Sequence, residues 1–257
     1  MNGALSDFFH DGKTIILPID HGIAVPVPGL EKPEFLIHDL YNYVDGFVVN
    51  PGVAIACRNV FTGKGVCLRA DAYNTRIDGR PGAGSVNLFG PDMARICGAH
   101  AIMTMLFPGN DNDAEILREC ATVISECMDE NLPVIVEALP VGLGQTEEYT
   151  VENVSFASRQ AAEMGASVVK TVFPTNGTQD DFKRIVDACF VPLIVLGGAA
   201  MGDDTALLTM VYNAMQAGAA GIAIGRNVWQ HPNPVHIAQS LQRIVHEGAT
   251  VTKALQS

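Results

Sequence analysis

A chain of 257 residues, 48% apolar and only 7% aromatic, has the length of one α/β barrel with an aliphatic core. Its 16 basic and 28 acidic residues give a net charge of -12, which excludes a nucleic-acid or anionic-membrane partner, since both demand a basic face. The N-terminus, MNGALSDFFHDGK, has no basic-then-apolar signal pattern, and no apolar run approaches the ~20 residues of a membrane span, so a cytoplasmic location is expected.

Short apolar runs recur about every thirty residues, the spacing of βα units. They are TIILPID (14–20), GFVVN (46–50), VCLRA (66–70), AIMTMLF (101–107), PVIVEA (133–138), SVVKTVF (167–173), PLIVLGG (192–198) and AGIAIG (220–225). Helix-like segments lie between them, including 111–131, 150–165 and 205–218. In the first of these, Ile116, Cys120, Val123, Ile124 and Cys127 recur at helical spacing behind an acidic first turn. Gly98, Gly165 and Gly218, each followed by alanine, are placed to give left-handed helix ends before the next strand.

Eight such strands predict a (β/α)8 TIM barrel. An open doubly wound sheet has fewer strands and a G-x-G-x-x-G turn, which is absent. Residues 1–257 read as one barrel domain with a short N-terminal extension and a frayed tail from about 249 to 257. Two excursions stand out, the Gly-rich 71–89 after the third strand and 139–150 after the fifth. Both leave the end of the barrel where active sites sit.

The strand ends carry the chemistry-bearing residues. Asp20 and His21 follow strand one, Arg69 and Asp71 close strand three, Glu137 lies in strand five and Lys170 in strand six. Alternation puts Val168, Lys170 and Val172 on one face. An inward lysine between apolar walls suits Schiff-base formation with a carbonyl. An outward one would snorkel between helices or neutralise a carboxylate. Asp20 is positioned to pair with Lys170 and move protons, to cap the next helix, or to form half of a structural ion pair. His21 is either a substrate contact or a hydrogen-bonding loop residue. Glycines in LGGAAMGDDT (196–205) and AIGRNVWQ (223–230) let backbone N–H groups approach an anion. Gly197, Gly198, Gly225 and Arg226 therefore predict a phosphate site after strands seven and eight.

The six cysteines form no C-x-x-C pair and read as reduced, buried thiols. The seven histidines show no metal-binding spacing, so no metal is expected. His231 and His246 read as solvated.

Together ILPIDHG, VVKTVFP, VLGGA and AIGRNVWQ, in order at the ends of strands one, six, seven and eight, resemble the archaeal-type class I fructose-bisphosphate aldolases. That group is broadly related to deoxyribose-phosphate aldolase and to the thiolase of phosphorylated autoinducer-2. The resemblance covers nearly the whole chain. It implies that Lys170 forms a Schiff base, that Asp20 assists at the lysine and substrate oxygens, and that Gly197, Gly198, Gly225 and Arg226 hold the substrate phosphate. It also implies a homo-oligomer. One departure stands at strand five, where the sugar-bisphosphate aldolases resemble W-x-Y-P-R-G and this chain has EALPVG. Glu137 takes the tryptophan's place, Leu139 the acid/base tyrosine's and Val141 the arginine's. A leucine cannot transfer a proton. Glu137, expected to have a raised pKa on an apolar wall, Tyr149 or a water would have to do so, and Glu137 equally reads as an ion-pair partner of Lys170 or Arg69.

The expected activity is that of a cofactor-free, Schiff-base-forming class I aldolase-like lyase acting on a small phosphorylated keto sugar. The alternatives are an acyl-transferring thiolase on a phosphorylated diketone, a non-covalent phosphosugar isomerase or lyase, and a non-catalytic phosphometabolite-binding barrel.

Overall fold

The computed structural model describes residues 3–25, 27–73 and 84–256. Eight parallel strands close into a barrel in chain order: β1 (Thr14–Pro18), β2 (Gly46–Val49), β3 (Gly65–Arg69), β4 (Ala101–Leu106), β5 (Val134–Ala138), β6 (Val168–Thr171), β7 (Leu193–Leu196) and β8 (Gly221–Ala223), with β8 pairing back onto β1. Every predicted run is a strand, and all but the fifth stop one or more residues before the run does. The apolar stretch that begins at residue 14 leaves Ile19 and Asp20 on the rim, and the one beginning at 167 leaves Val172 and Phe173 there.

Alternation along the strands makes two cores. Ile16, Val48, Cys67, Met103, Ile135, Val168 and Ile194 fill the barrel interior, while their neighbours, among them Leu17, Val49, Leu68, Val136 and Val169, pack outward in a second apolar cluster with the helices. The floor of the barrel is closed by the segment after the 3-10 helix Gly3–Asp7. Phe8 is fully buried and belongs to the interior cluster with Leu5 and Phe9. Gly46 and Gly65 make room for it, because a Cβ at either would lie 2.6 or 2.4 Å from a ring carbon of Phe8.

The predicted helices form at Asp113–Asp129, Val151–Met164 and Asp204–Gln216. The apolar stripe of the first is the one read from its spacing, and all five residues are buried. Gly98, Gly165 and Gly218 have φ of 69°, 106° and 102°, a region a β-carbon disfavours. All six cysteines are buried and free of disulfides. No described helix is long and apolar enough to cross a membrane.

One excursion gains detail and two expectations are corrected. The excursion over 71–89 contains a two-stranded antiparallel ribbon, Asp71–Tyr73 against Ser85–Asn87, and the remainder of its Gly-rich stretch, 74–83, lies outside the described residues. The tail is anchored through 251–254. Val251–Ala254 form a helical turn, Ala254 is buried, and the Ser240 hydroxyl donates to its carbonyl at 3.0 Å. His231 and His246 are not simply solvated: their Nε2 atoms lie 3.1 Å from Asp204 and 2.8 Å from Asp45, respectively.

Candidate active site

Parallel pairing of β5 with β6 sets Glu137 opposite Lys170 in register. Both are 4% exposed, and Lys170 Nζ lies 2.8 Å from Glu137 Oε1. Val168, two residues before Lys170, sits in the barrel interior, so the lysine points inward and the snorkelling alternative is closed.

Arg69, at the end of β3, organises the carboxylates. Only 1% exposed, its guanidinium donates through Nε to Asp20 Oδ2 at 2.6 Å, through Nη1 to Asp71 Oδ1 at 3.3 Å, and through Nη2 to Glu137 Oε2 at 2.8 Å. Its Cζ lies 4.8 Å from the centre of the Tyr73 ring. A buried guanidinium is tolerable only with such partners, and Arg's fork suits three at once. Sequence reasoning noted Arg69 as a rim residue and as one partner of Glu137, but missed this hub. The available signal was a cation closing an otherwise apolar strand.

The network corrects two expectations. Asp20 pairs with Arg69, and it is Glu137 that takes Lys170. Glu137 is also not a raised acid. Burial pushes its pKa up, but Lys170 and Arg69 outweigh that and hold it below the usual range. Asp20 behaves alike, with burial opposed by Arg69, His21 and Lys170 and the net shift downward. Asp71 differs. Burial leaves its pKa raised despite Arg69, and its carboxylate is committed to the Ser85 hydroxyl and to Met105 N, which donates at 3.0 Å.

Asp20 Oδ1 is buried without a hydrogen-bond partner, and His21 Nδ1 lies 3.5 Å from it. Burial, assisted by Arg226 and Lys170 and opposed by Asp20, lowers the His21 pKa to about 4, so the ring is neutral at pH 7. Its edge meets Trp229 with centroids 5.4 Å apart. Tyr149 is no free acid/base. Its hydroxyl donates to the Gly142 carbonyl at 2.7 Å, and burial raises its pKa.

Across the cavity, Asn227 ties the loops after β7 and β8 together. Its Nδ2 donates to the carbonyls of Gly197 and Ala199, both at 3.0 Å, and its Oδ1 accepts from Met201 N at 2.8 Å. This residue was not singled out in the sequence. A Cβ on Gly197 would lie 2.8 Å from Ile224, and one on Gly225 2.6 Å from the Pro18 carbonyl, so close approach demands glycine at both. Gly198 has φ of 66°. Arg226 opens the short helix Arg226–Trp229, and its Nε has no hydrogen-bond partner.

Asp20, His21, Glu137, Lys170, Gly197, Gly198, Gly225 and Arg226 all border one cavity of about 260 Å³. Its remaining wall is largely apolar, with Leu139, Leu143, Val172 and Leu196. Among the described residues no three His, Cys, Asp or Glu side chains converge as a metal site. The arrangement sets an amine against a proton-accepting carboxylate, with glycine-lined loops and a cation on the far side.

Comparison with known proteins identifies the family. The family model described as DeoC/LacD family aldolase matches residues 14–231. The chain belongs to the DeoC/LacD aldolase family. As a DeoC/LacD aldolase it is an enzyme of the aldehyde-lyase type, and the barrel and the family resemblance expected from the sequence both hold. It is 30% identical to 2-amino-3,7-dideoxy-D-threo-hept-6-ulosonate synthase 1 of Archaeoglobus fulgidus, over 94% of this chain and 89% of the relative. It is 29% identical to 3-hydroxy-5-phosphonooxypentane-2,4-dione thiolase of Escherichia coli, over 100% of this chain and 86% of that protein. An archaeal fructose-1,6-bisphosphate aldolase, solved with its catalytic Lys covalently bound to the carbinolamine intermediate of the substrate, superposes with a TM-score of 0.84. That structure is 27% identical and aligns over 94% of this chain and 97% of its own.

Proposed function

We propose that this aldolase-family chain is a cytoplasmic, self-associating enzyme that makes or breaks a C–C bond in a small phosphorylated keto compound through a Schiff base on Lys170. The observation that carries the reading is the buried Lys170–Glu137 pair, 2.8 Å apart and facing the cavity. The proton count of imine formation supports it. An ammonium paired with a carboxylate carries three N–H hydrogens and the iminium keeps one. The other two leave with the carbonyl oxygen as water. Glu137, touching Lys170, relays them, so no external acid is consumed.

In the cleavage direction, Asp20 Oδ1 accepts the proton of the hydroxyl two carbons from the iminium nitrogen's carbon partner, and the C–C electron pair flows into the iminium. An aldehyde departs and leaves an enamine. Reprotonation of carbon and hydrolysis return Lys170. The iminium serves as the electron sink, so the reading needs no cofactor. Gly197, Gly198, Gly225 and Arg226 hold the phosphate, and His21, neutral at pH 7, contacts the substrate as a hydrogen-bonding group.

Leu139 favours a second reading. It borders the cavity at the position where the family's sugar-bisphosphate aldolases resemble a tyrosine, and it supplies no proton. The same iminium would then accept electrons during acyl transfer from a phosphorylated diketone, the kind of chemistry named for the Escherichia coli relative. Product analysis with ketose phosphates and phosphorylated diketones tests the pair. Release of an aldehyde supports the aldolase reading, and transfer of an acyl group to a thiol supports the second. Turnover of neither class would count against both.

A further inference from the structure

We propose that Asn227 is the positioning residue of the phosphate site: its buried amide holds the loop after β7 with the Gly198 N–H turned toward the substrate phosphate. The inference deepens the function proposed above and rests on its placement of the phosphate beside Arg226.

The hydrogen bonds of the side chain carry it. Asn227 is 6% exposed. Its Nδ2 donates to the Gly197 and Ala199 carbonyls and its Oδ1 accepts from Met201 N, so both N–H hydrogens and the oxygen are spent on one loop. Only this orientation of the amide fits, since the reversed one would set an oxygen against two carbonyls. Gly197, Gly198 and Ala199 border the cavity with Gly225 and Arg226, and Asn227 stands behind them, outside the described lining. A Cβ on Gly197 would lie 3.0 Å from Nδ2, so the loop and the amide are in close contact.

Peptide geometry converts that contact into an anion site. A trans peptide is planar, and its N–H points opposite to its C=O. The Gly197 carbonyl faces Asn227, so the Gly198 N–H in the same plane points away from it, at a residue that borders the cavity. Gly198 has φ of 66°, the left-handed step with which successive backbone N–H groups form anion-binding concavities.

Burial does not fix this loop, because residues 198–203 are exposed. Asn227 itself is well anchored. It belongs to the turn Arg226–Trp229, in which Val228 and Trp229 are buried and Trp229 Nε1 donates to the Pro18 carbonyl at 3.1 Å. The amide thus carries the rigidity of the barrel rim out to an exposed segment. Donors to an anion are strong only when aimed at it, since a hydrogen bond weakens steeply with misalignment.

Two measurements on the full chain test the role. Calorimetry with inorganic phosphate reads the site without lysine chemistry. Borohydride trapping on Lys170 compares dihydroxyacetone phosphate with dihydroxyacetone. In Asn227→Ala, inorganic phosphate should bind about 10- to 100-fold more weakly than in wild type. The concentration for half-maximal trapping should rise at least about tenfold more for the phosphorylated ketone than for the phosphate-free one. A phosphate loss below about tenfold, or equal losses for the two ketones, would make Asn227 a structural residue only and overturn the proposal. Absence of saturable phosphate binding in wild type would overturn it too, whether or not Lys170 is trapped. Failed trapping with intact phosphate binding counts against the Schiff base alone, and the phosphate titration then decides the role of Asn227. Should Asn227→Ala fail to fold, hydrogen exchange of the wild type takes its place. The Met201 amide should exchange at least about tenfold more slowly than an unstructured amide, and more slowly again with saturating phosphate. Exchange at the unstructured rate, or no response to phosphate, would overturn the proposal.

Discussion

Lys170 and Arg69 share one carboxylate, so the state of each depends on the other. Glu137→Gln keeps the shape but removes the proposed proton relay, and steady-state turnover should fall by about 10²- to 10⁴-fold. Retention of more than a tenth of the wild-type rate would move the relay elsewhere. Arg69→Met leaves Asp20, Asp71 and part of Glu137 without their cation, and urea denaturation should show a loss of about 3–5 kcal/mol. His21 adds a pH signature. Its pKa is about 4 in the folded chain and ~6.5 when unfolded. Only the unfolded state takes up the proton between those values, so this residue's contribution to stability falls as the pH drops from ~6.5 to about 4, by roughly 3 kcal/mol in all. His21→Phe should remove that part of the slope when unfolding is followed across the window. An unchanged slope would show that the imidazole is not the group responsible. Asp20 and Glu137, with lowered values, act at lower pH: their contribution is present above ~4 and is lost as pH falls through their folded pKa values.

At the scale of elements, the N-terminal segment and two strands form a unit. Gly46 and Gly65 face Phe8, so Gly65→Ala should destabilise by forcing the ring aside, and Phe8→Ala should cost about 3–5 kcal/mol by leaving a cavity. In the double variant the added methyl enters vacated space, and the two costs should sum to less than their separate values in a double-mutant cycle. Strict additivity would mean that the contact does not matter energetically. None of this was visible in the sequence, because one phenylalanine and two glycines tens of residues apart carry no periodic signal. The strands were legible for the opposite reason. Buried on both faces, they read as continuous apolar runs, and Gly98, Gly165 and Gly218 marked where three of the units stop. Which carboxylate takes Lys170 was not legible. Asp20, Asp71 and Glu137 come from different strand ends, and only the β5–β6 register puts Glu137 beside the lysine. The sequence could list the candidates, but their pairing and their pKa directions depend on distances across the barrel.

For the whole molecule, the net charge of -12 sits on a fold whose cavity is bordered by Gly197, Gly198, Gly225 and Arg226, the groups proposed to hold the substrate phosphate. The chemistry turns on whether the buried amine at the cavity's edge reacts with a carbonyl. Intact-mass spectrometry after borohydride reduction in the presence of monophosphorylated ketones, on wild type and Lys170→Met, measures this directly. One adduct of ketone mass in the wild type, mapped to Lys170 and missing from the variant, is the predicted result. No adduct across the panel, or one that persists in Lys170→Met, would contradict a Schiff base at this lysine.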